Sequence, residues 1–84
     1  MWFRKVKPVS ALRGLPEPPA GCVWRVRMDS DAGTPELALY RGLMRLHQAY
    51  VNTESASNLS YVAGAILEVV ERREREEAET GWYG

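Results

Sequence analysis

Hydrophobic and polar residues alternate most regularly over residues 22–28, CVWRVRM. Every second residue from Cys22 is apolar, and Arg25 and Arg27 stand between them, so an extended chain would have one apolar and one basic side. A period of two is typical of a strand that buries one face. The segment therefore predicts a half-buried β-strand with two arginines on its outer side.

The N-terminal segment predicts a partner for that strand. Residues 1–7, MWFRKVK, are rich in aromatic and β-branched types, which favours a strand that ends before Pro8. Residues 8–21 contain four prolines and two glycines and predict a loop with polyproline II character. Because this loop lets the chain return, we expect residues 1–7 and 22–28 to form an antiparallel hairpin.

The apolar positions then change to helical spacing. Over residues 35–51, leucine and tyrosine recur every three or four positions, after a Thr34–Pro35 pair that suits a helix start. Over residues 57–79, an apolar stripe is followed by the charged run ERREREEAE, in which glutamate and arginine alternate at helical spacing. These two periods predict two helices, the second with a charged C-terminal extension.

The short polar stretch between the two helical segments, NTESASN, predicts an αα-hairpin, with Ser55 or Ser57 capping the second helix. A glycine inside a helix costs ~1 kcal/mol relative to alanine, so Gly42 and Gly64 indicate close helix packing. We therefore expect one small α+β domain over residues 1–84, in which an N-terminal two-stranded antiparallel hairpin packs on a long αα-hairpin.

Length and cysteine content limit the setting of this domain. The chain has 84 residues and one cysteine, Cys22, so it has no internal disulfide, which favours a reducing compartment. Its longest apolar run, residues 61–67, is far shorter than the ~20 residues of a membrane-spanning helix, and its start lacks the apolar core of a signal peptide. We expect a soluble cytoplasmic protein with no membrane span.

Residues that carry chemistry are sparse. His47 is the only histidine, and together with Cys22 it is too few ligands for a zinc site. A Cys22–His47 nucleophile–base pair is the one enzymatic alternative, a small thiol-dependent enzyme. No stretch has a catalytic or cofactor signature, which favours a non-enzymatic protein without cofactor or metal.

Charge is distributed unevenly although the formal net charge is zero. Residues 1–28 hold six basic side chains and one acidic one, whereas residues 54–84 hold seven acidic and three basic ones. A chain with a basic half and an acidic half can associate with itself or present either end to a partner.

The absence of a catalytic signature, this charge separation and the aromatic residues near both termini indicate a small protein-binding modulator. It would occupy a surface of a larger protein complex, as a phage or mobile-element accessory protein, and it could also form a homodimer. Aromatic and arginine side chains are the usual anchors of interfaces. The candidate partner-binding residues combine such anchors with one glutamate of the charged run: Trp2, Phe3, Arg25, Arg27, Arg72, Arg73, Glu76, Trp82 and Tyr83.

Two other binding modes fit parts of the sequence. The basic N-terminal hairpin could act as a β-ribbon on nucleic acid, since arginine reads guanine well in the major groove. Residues 13–19, RGLPEPP, match the Arg-x-x-Pro-x-x-Pro pattern of ligands for SH3-type grooves. This short pattern is common by chance, and a linker between strands is the simpler interpretation.

Overall fold

The computed structural model describes residues 12–28 and 33–80, which form three strands and one helix. The strands are β1 (Cys22–Arg27), β2 (Glu36–Arg41) and β3 (Met44–Tyr50), and the helix is α1 (Ala56–Thr80). Both strand pairs are antiparallel, and the strands lie in the sheet in chain order. The architecture is therefore α+β, with α1 packed on one face of a three-stranded sheet.

The predicted αα-hairpin is wrong, because residues 35–51 contain two strands instead of a helix. The chain reverses at Gly42 and Leu43, the two residues that separate β2 from β3. Gly42 has a φ of 61° and Leu43 does not have a positive φ, the combination of a type II′ hairpin turn. Gly42 therefore supplies turn geometry here and not close packing of helices.

Burial shows why the strand arrangement is favoured for this segment. Leu37 and Leu39 are two residues apart and both are fully buried, as in a strand with one face in the core. Leu43, which fits the helical spacing, is 96% exposed at the tip of the turn. Packing of two leucines against α1 thus overrides the helix preference of a leucine-rich segment.

A β-bulge interrupts the β2–β3 pairing. Leu39 pairs with His47 and Tyr40 with Arg45, which leaves Leu46 as the additional residue on β3. The guanidinium of Arg73 on α1 donates a hydrogen bond of 2.9 Å to the carbonyl of Leu46. The irregular part of the sheet is thus tied to the helix.

The described residues also do not form the predicted two-stranded N-terminal hairpin. β1 lies within the predicted strand 22–28, but it pairs with β2 along its whole length. The predicted strand 1–7 lies outside the described residues.

The core lies between the sheet and α1, which packs over β2 and β3. Fully burying a large aliphatic side chain stabilises a fold by about 1.5–3 kcal/mol, so this layer supplies most of the favourable free energy. The buried cluster draws on β1, β2 and α1 and on Val51, which follows β3: Cys22, Trp24, Val26, Leu37, Leu39, Val51, Leu59, Ala63, Ile66 and Val70.

The start of α1 is fixed by hydrogen bonds in the loop before it. Ser55 is the N-cap, and its hydroxyl accepts a hydrogen bond of 3.1 Å from the backbone N–H of Asn58. The Asn58 side chain accepts one of 2.7 Å from the N–H of Asn52. The predicted helix 57–79 corresponds closely to α1, and its predicted apolar stripe is the buried one.

The charged part of α1 contacts the sheet before it extends past it. Arg41, at the end of β2, forms an ion pair of 2.9 Å with Glu74.

Gly64 does not mark a helix crossing, because a Cβ at that position would meet nothing within 4 Å. Over the described ranges, no helix combines the length and apolar character needed to cross a membrane.

The proline-rich segment before β1 packs on the domain. Leu12 and Leu15 contact the core cluster, and the indole N–H of Trp24 donates a hydrogen bond of 2.8 Å to the carbonyl of Pro16. Gly14 has a φ of 95°, and a Cβ there would collide with the carbonyl of Ala56. Part of the Arg-x-x-Pro-x-x-Pro match is thus engaged in folding the chain.

Candidate functional site

The face of the sheet opposite α1 carries the predicted arginines. Strand alternation directs every residue between the core positions to this side. We name it the outer face and define it by the outward-directed residues of the three strands: Val23, Arg25, Arg27, Glu36, Ala38, Tyr40, Arg45, Gln48 and Tyr50. Three of these nine residues are arginines and one is a glutamate, so the face is basic.

Tyr40 lies on the central strand of the outer face, close to the β2–β3 turn. In register it stands between Val23 on β1 and Arg45 on β3. The guanidinium of Arg25, one diagonal step away, lies over the Tyr40 ring at 5.1 Å from its centroid. This cation–π contact holds an otherwise flexible arginine in place and is worth about 0.5–1 kcal/mol at an exposed site.

A shallow cavity of about 280 Å³ opens beside this contact. Arg25, Tyr40, Arg45 and Gln48 all line it, and Leu43 of the hairpin turn forms part of its rim. Arg25, Arg45 and Gln48 are exposed, whereas Tyr40 is half-buried beneath its neighbours. Arg27 and Glu36 also line the cavity, which therefore presents three guanidinium groups, one carboxylate and one amide around the ring.

The arginines of the outer face differ in whether a carboxylate lies opposite them. Arg27 stands directly opposite Glu36 in the β1–β2 register. Opposite charges at directly paired positions attract one another. Arg25 pairs in register with Ala38, and Arg45 pairs with Tyr40, so neither has a carboxylate opposite it. The excess positive charge is therefore concentrated around Tyr40.

Exposed apolar side chains border these charges. Val23 is 47% exposed, Tyr50 is 58% exposed, and Leu43 at the turn is almost fully exposed. A mixture of arginine, tyrosine and aliphatic groups is typical of the central part of a protein interface. The outer face thus has the composition of a binding surface.

The predicted site residues fall into separate groups. Arg25 and Arg27 lie on the outer face, as the alternation in 22–28 predicts. Arg72 pairs with Glu68 at 3.2 Å on α1, which packs against the other side of the sheet. Arg73 contacts β3 through Leu46, and Glu76 lies exposed further along α1. Four predicted residues lie outside the described residues: Trp2, Phe3, Trp82 and Tyr83.

Sequence reasoning missed the residues that complete the cavity. Tyr40, Arg45 and Gln48 were assigned to a helix, in which Tyr40 would face a core. The signal that could have identified them is the Gly42–Leu43 pair between two segments that each contain alternating apolar residues. A Gly-x pair of this kind favours a type II′ turn, which would have placed β2 and β3 beside β1.

The thiol and imidazole do not form a catalytic pair in this fold. Cys22 is on β1 and His47 is on β3, so β2 lies between them and their backbones are at least ~9–10 Å apart. Cys22 is buried opposite Arg41, whose pKa is raised by its hydrogen bond to Glu74 and by the neighbouring thiol. Among the residues that the structure describes, no three metal-ligating side chains converge.

Comparison with known proteins adds no relative to this picture. The chain matches no protein-family model, no curated protein and no solved structure.

Proposed function

We propose that this chain is a small non-enzymatic binding protein that occupies a surface of a larger protein through its outer face. The observation that carries this proposal is the guanidinium of Arg25, held over Tyr40 beside Arg45 on an exposed sheet face. A side chain that is already ordered loses less conformational entropy when a partner binds. Arginine and tyrosine are also the residues that most often dominate binding energy.

The size of the outer face sets the expected strength of binding. Three strands of about six residues cover ~14 Å by ~20 Å, or roughly 300 Å². A standard protein interface buries ~800 Å² on each partner. Contacts must therefore extend onto the Leu43 turn or the outer edges of the sheet, and a complex confined to the face would be weak and transient.

A cytoplasmic location is part of the proposal. The one cysteine of the sequence, Cys22, is unpaired and buried, as is usual for proteins of reducing compartments. Fractionation of the native cell tests this location. Recovery of the chain mainly outside the cytoplasmic fraction would refute it.

The proposal is tested by charge reversal on the outer face. Tagged wild-type protein and the double variant R25E/R45E are used to capture partners from extracts of the native organism. Each protein captured is then purified and titrated against both forms. We expect the affinity of the true partner to fall about tenfold or more, equivalent to ~1.4 kcal/mol, in the double variant.

A second double variant, R13E/R75E, is the matched control, because it reverses the same charge at two exposed arginines away from the outer face. It should bind the partner within about twofold of wild type, a difference of only ~0.4 kcal/mol. Thermal unfolding of all three proteins confirms that they are folded. Equal losses in the two double variants, or no loss in either, would refute a role for the outer face.

Nucleic-acid binding is the second candidate, supported by the presence of three arginines and two tyrosines on one sheet face. It predicts a shift of a labelled single-stranded oligonucleotide that weakens steeply between about 50 and 200 mM salt and is lost in R25E/R45E. Binding that is absent at low salt, or unchanged in R25E/R45E, would eliminate this candidate.

A further inference from the structure

We infer that the outer face recognises carboxylate groups on an extended acidic segment of its partner protein. This inference rests on the proposed function and specifies the chemistry of the partner. Its chemical core is the Arg25 guanidinium over Tyr40, with Arg45 on the neighbouring side of the ring. The segment would lie across the cavity that these side chains line.

The position of Arg25 favours a carboxylate ligand. Its guanidinium lies over the Tyr40 ring at 5.1 Å and the residue is exposed, so its N–H donors remain accessible to a partner. Two parallel N–H groups match the two oxygens of a carboxylate in a bidentate contact. Because the contact with the ring restricts the Arg25 side chain, less conformational entropy is lost when a carboxylate binds.

The same contact argues against nucleic acid as the ligand at this position. A base stacks on an exposed aromatic ring. Here Arg25 already lies over the half-buried Tyr40 ring, so of the two tyrosines on the outer face only Tyr50, at the other end of the face, is open to a base. The chain also has no net charge, and the described part of the acidic half, residues 54–80, would repel a phosphate backbone. An acidic protein segment carries less charge than a nucleic acid and fits two guanidinium groups.

Arg45 provides the second charged contact. It lies on β3, two strands from Arg25 and offset by two residues along the sheet, so the two backbone positions are ~12 Å apart. Carboxylates on one side of an extended segment repeat every ~7 Å. The long side chains of the two arginines can bridge the difference between their backbone separation and the carboxylate spacing. Gln48, which also lines the cavity, can donate a hydrogen bond to the backbone of the segment.

A second copy of this chain is a poorer occupant. The acidic residues that it could offer from the described part lie mainly on α1, which is helical instead of extended. Two of them, Glu68 and Glu74, are already paired with Arg72 and Arg41. The observations therefore favour a different protein with an acidic extended segment.

The direct probe is a labelled peptide with glutamate at every second position and threonine between, a residue type that favours extended chains. The same peptide with glutamine in place of glutamate is the control. Fluorescence anisotropy measures the binding of both to the full-length protein. We expect the glutamine peptide to bind about tenfold more weakly or worse, as for the loss of a charge-assisted contact.

Variants of Tyr40 test whether binding needs an Arg25 side chain that is ordered by the ring or only its positive charge. Tyr40→Phe keeps the ring and should bind the glutamate peptide more tightly than Tyr40→Leu does. Tyr40→Leu removes it and should weaken binding about two- to fivefold, the equivalent of one exposed cation–π contact. R25E/R45E should abolish binding, whereas R13E/R75E should not. Thermal unfolding of each variant shows that it remains folded.

Four results would overturn the inference. Three are binding results: equal binding of the two peptides, equal binding by Tyr40→Leu and Tyr40→Phe, and tighter binding of a single-stranded oligonucleotide than of the glutamate peptide. Salt-sensitive self-association that R25E/R45E removes, measured by sedimentation, would assign the outer face to a second copy and also overturn it. If R25E/R45E still weakens binding of the captured partner while the glutamate and glutamine peptides bind equally, this inference alone is refuted.

Discussion

Gly42 and Gly64 lie in different backbone conformations, and only one of them requires glycine. Gly42 has a positive φ in the β2–β3 turn, whereas Gly64 lies within α1 and faces open space. A side chain at Gly42 is strained by the backbone, although nothing lies within 4 Å of its Cβ position. A side chain at Gly64 only restricts the unfolded chain and improves helix propensity.

The two alanine substitutions are therefore expected to have opposite signs. Gly42→Ala should lower the free energy of unfolding by about 1 kcal/mol, because it places alanine in the left-handed region. Gly64→Ala should raise it by up to about 1 kcal/mol. Urea denaturation of the two variants and the wild type measures both changes. A destabilised Gly64→Ala would indicate that the position packs against another element.

Ser55 determines where α1 begins. Its hydroxyl accepts the N–H of Asn58, one of the donors that the first turn of the helix leaves unpaired. Ser55→Ala should lower the free energy of unfolding by about 1 kcal/mol, measured by urea denaturation. Ser60→Ala, an exposed change later in α1, should be neutral or slightly stabilising. Equal effects of the two substitutions would contradict the capping role.

At the scale of elements, the packing of α1 has a precise register. Val70 is the last residue of the buried stripe and is 4% exposed, whereas its neighbour Val69 is only half-buried and lies outside the core cluster. Beyond Val70, contact with the sheet continues through polar groups, since Arg73 bonds to Leu46 and Glu74 to Arg41. The apolar and the polar contacts together hold the helix against β2 and β3.

This register predicts different effects at two adjacent valines. Val70→Ala removes buried methyl groups and leaves a cavity, so the free energy of unfolding should fall by about 2 kcal/mol. In Val69→Ala, a smaller loss of burial is offset by the better helix propensity of alanine, and the change should stay within about 0.5 kcal/mol. Thermal or urea unfolding measures both. A larger cost at Val69 would mean that α1 is rotated on the sheet.

The elements differ in how far their sequences determine them. β1 and α1 are predictable because a strict alternation and a long apolar stripe each agree with a single period. Residues 36–50 are not, because leucines at positions 37, 39, 43 and 46 satisfy a helical and an extended spacing in part. The structure resolves this ambiguity through the long-range packing of Leu37 and Leu39 on α1, which no local pattern contains.

At the scale of the whole molecule, one helix covers one side of the sheet, and five of the nine outer-face residues on the other side are exposed. The arginines of β1 were predictable candidates because alternation alone directs them away from the apolar side. Tyr40 and Arg45 join them only through the β2–β3 hairpin, so the cavity could not be predicted without that turn. The site is a consequence of tertiary pairing more than of any sequence motif.

The central claim is that the outer face, and not α1, is the binding surface. The most direct measurement is a nuclear magnetic resonance titration of the isotope-labelled full chain with the partner captured through the wild type, or with the glutamate peptide. The account predicts that amide shifts concentrate in β1, β2 and β3, and that the Arg25 side-chain N–H signal moves together with Tyr40 and Arg45. Shifts confined to the exposed side of α1, around Tyr61 and Gly64, would contradict it.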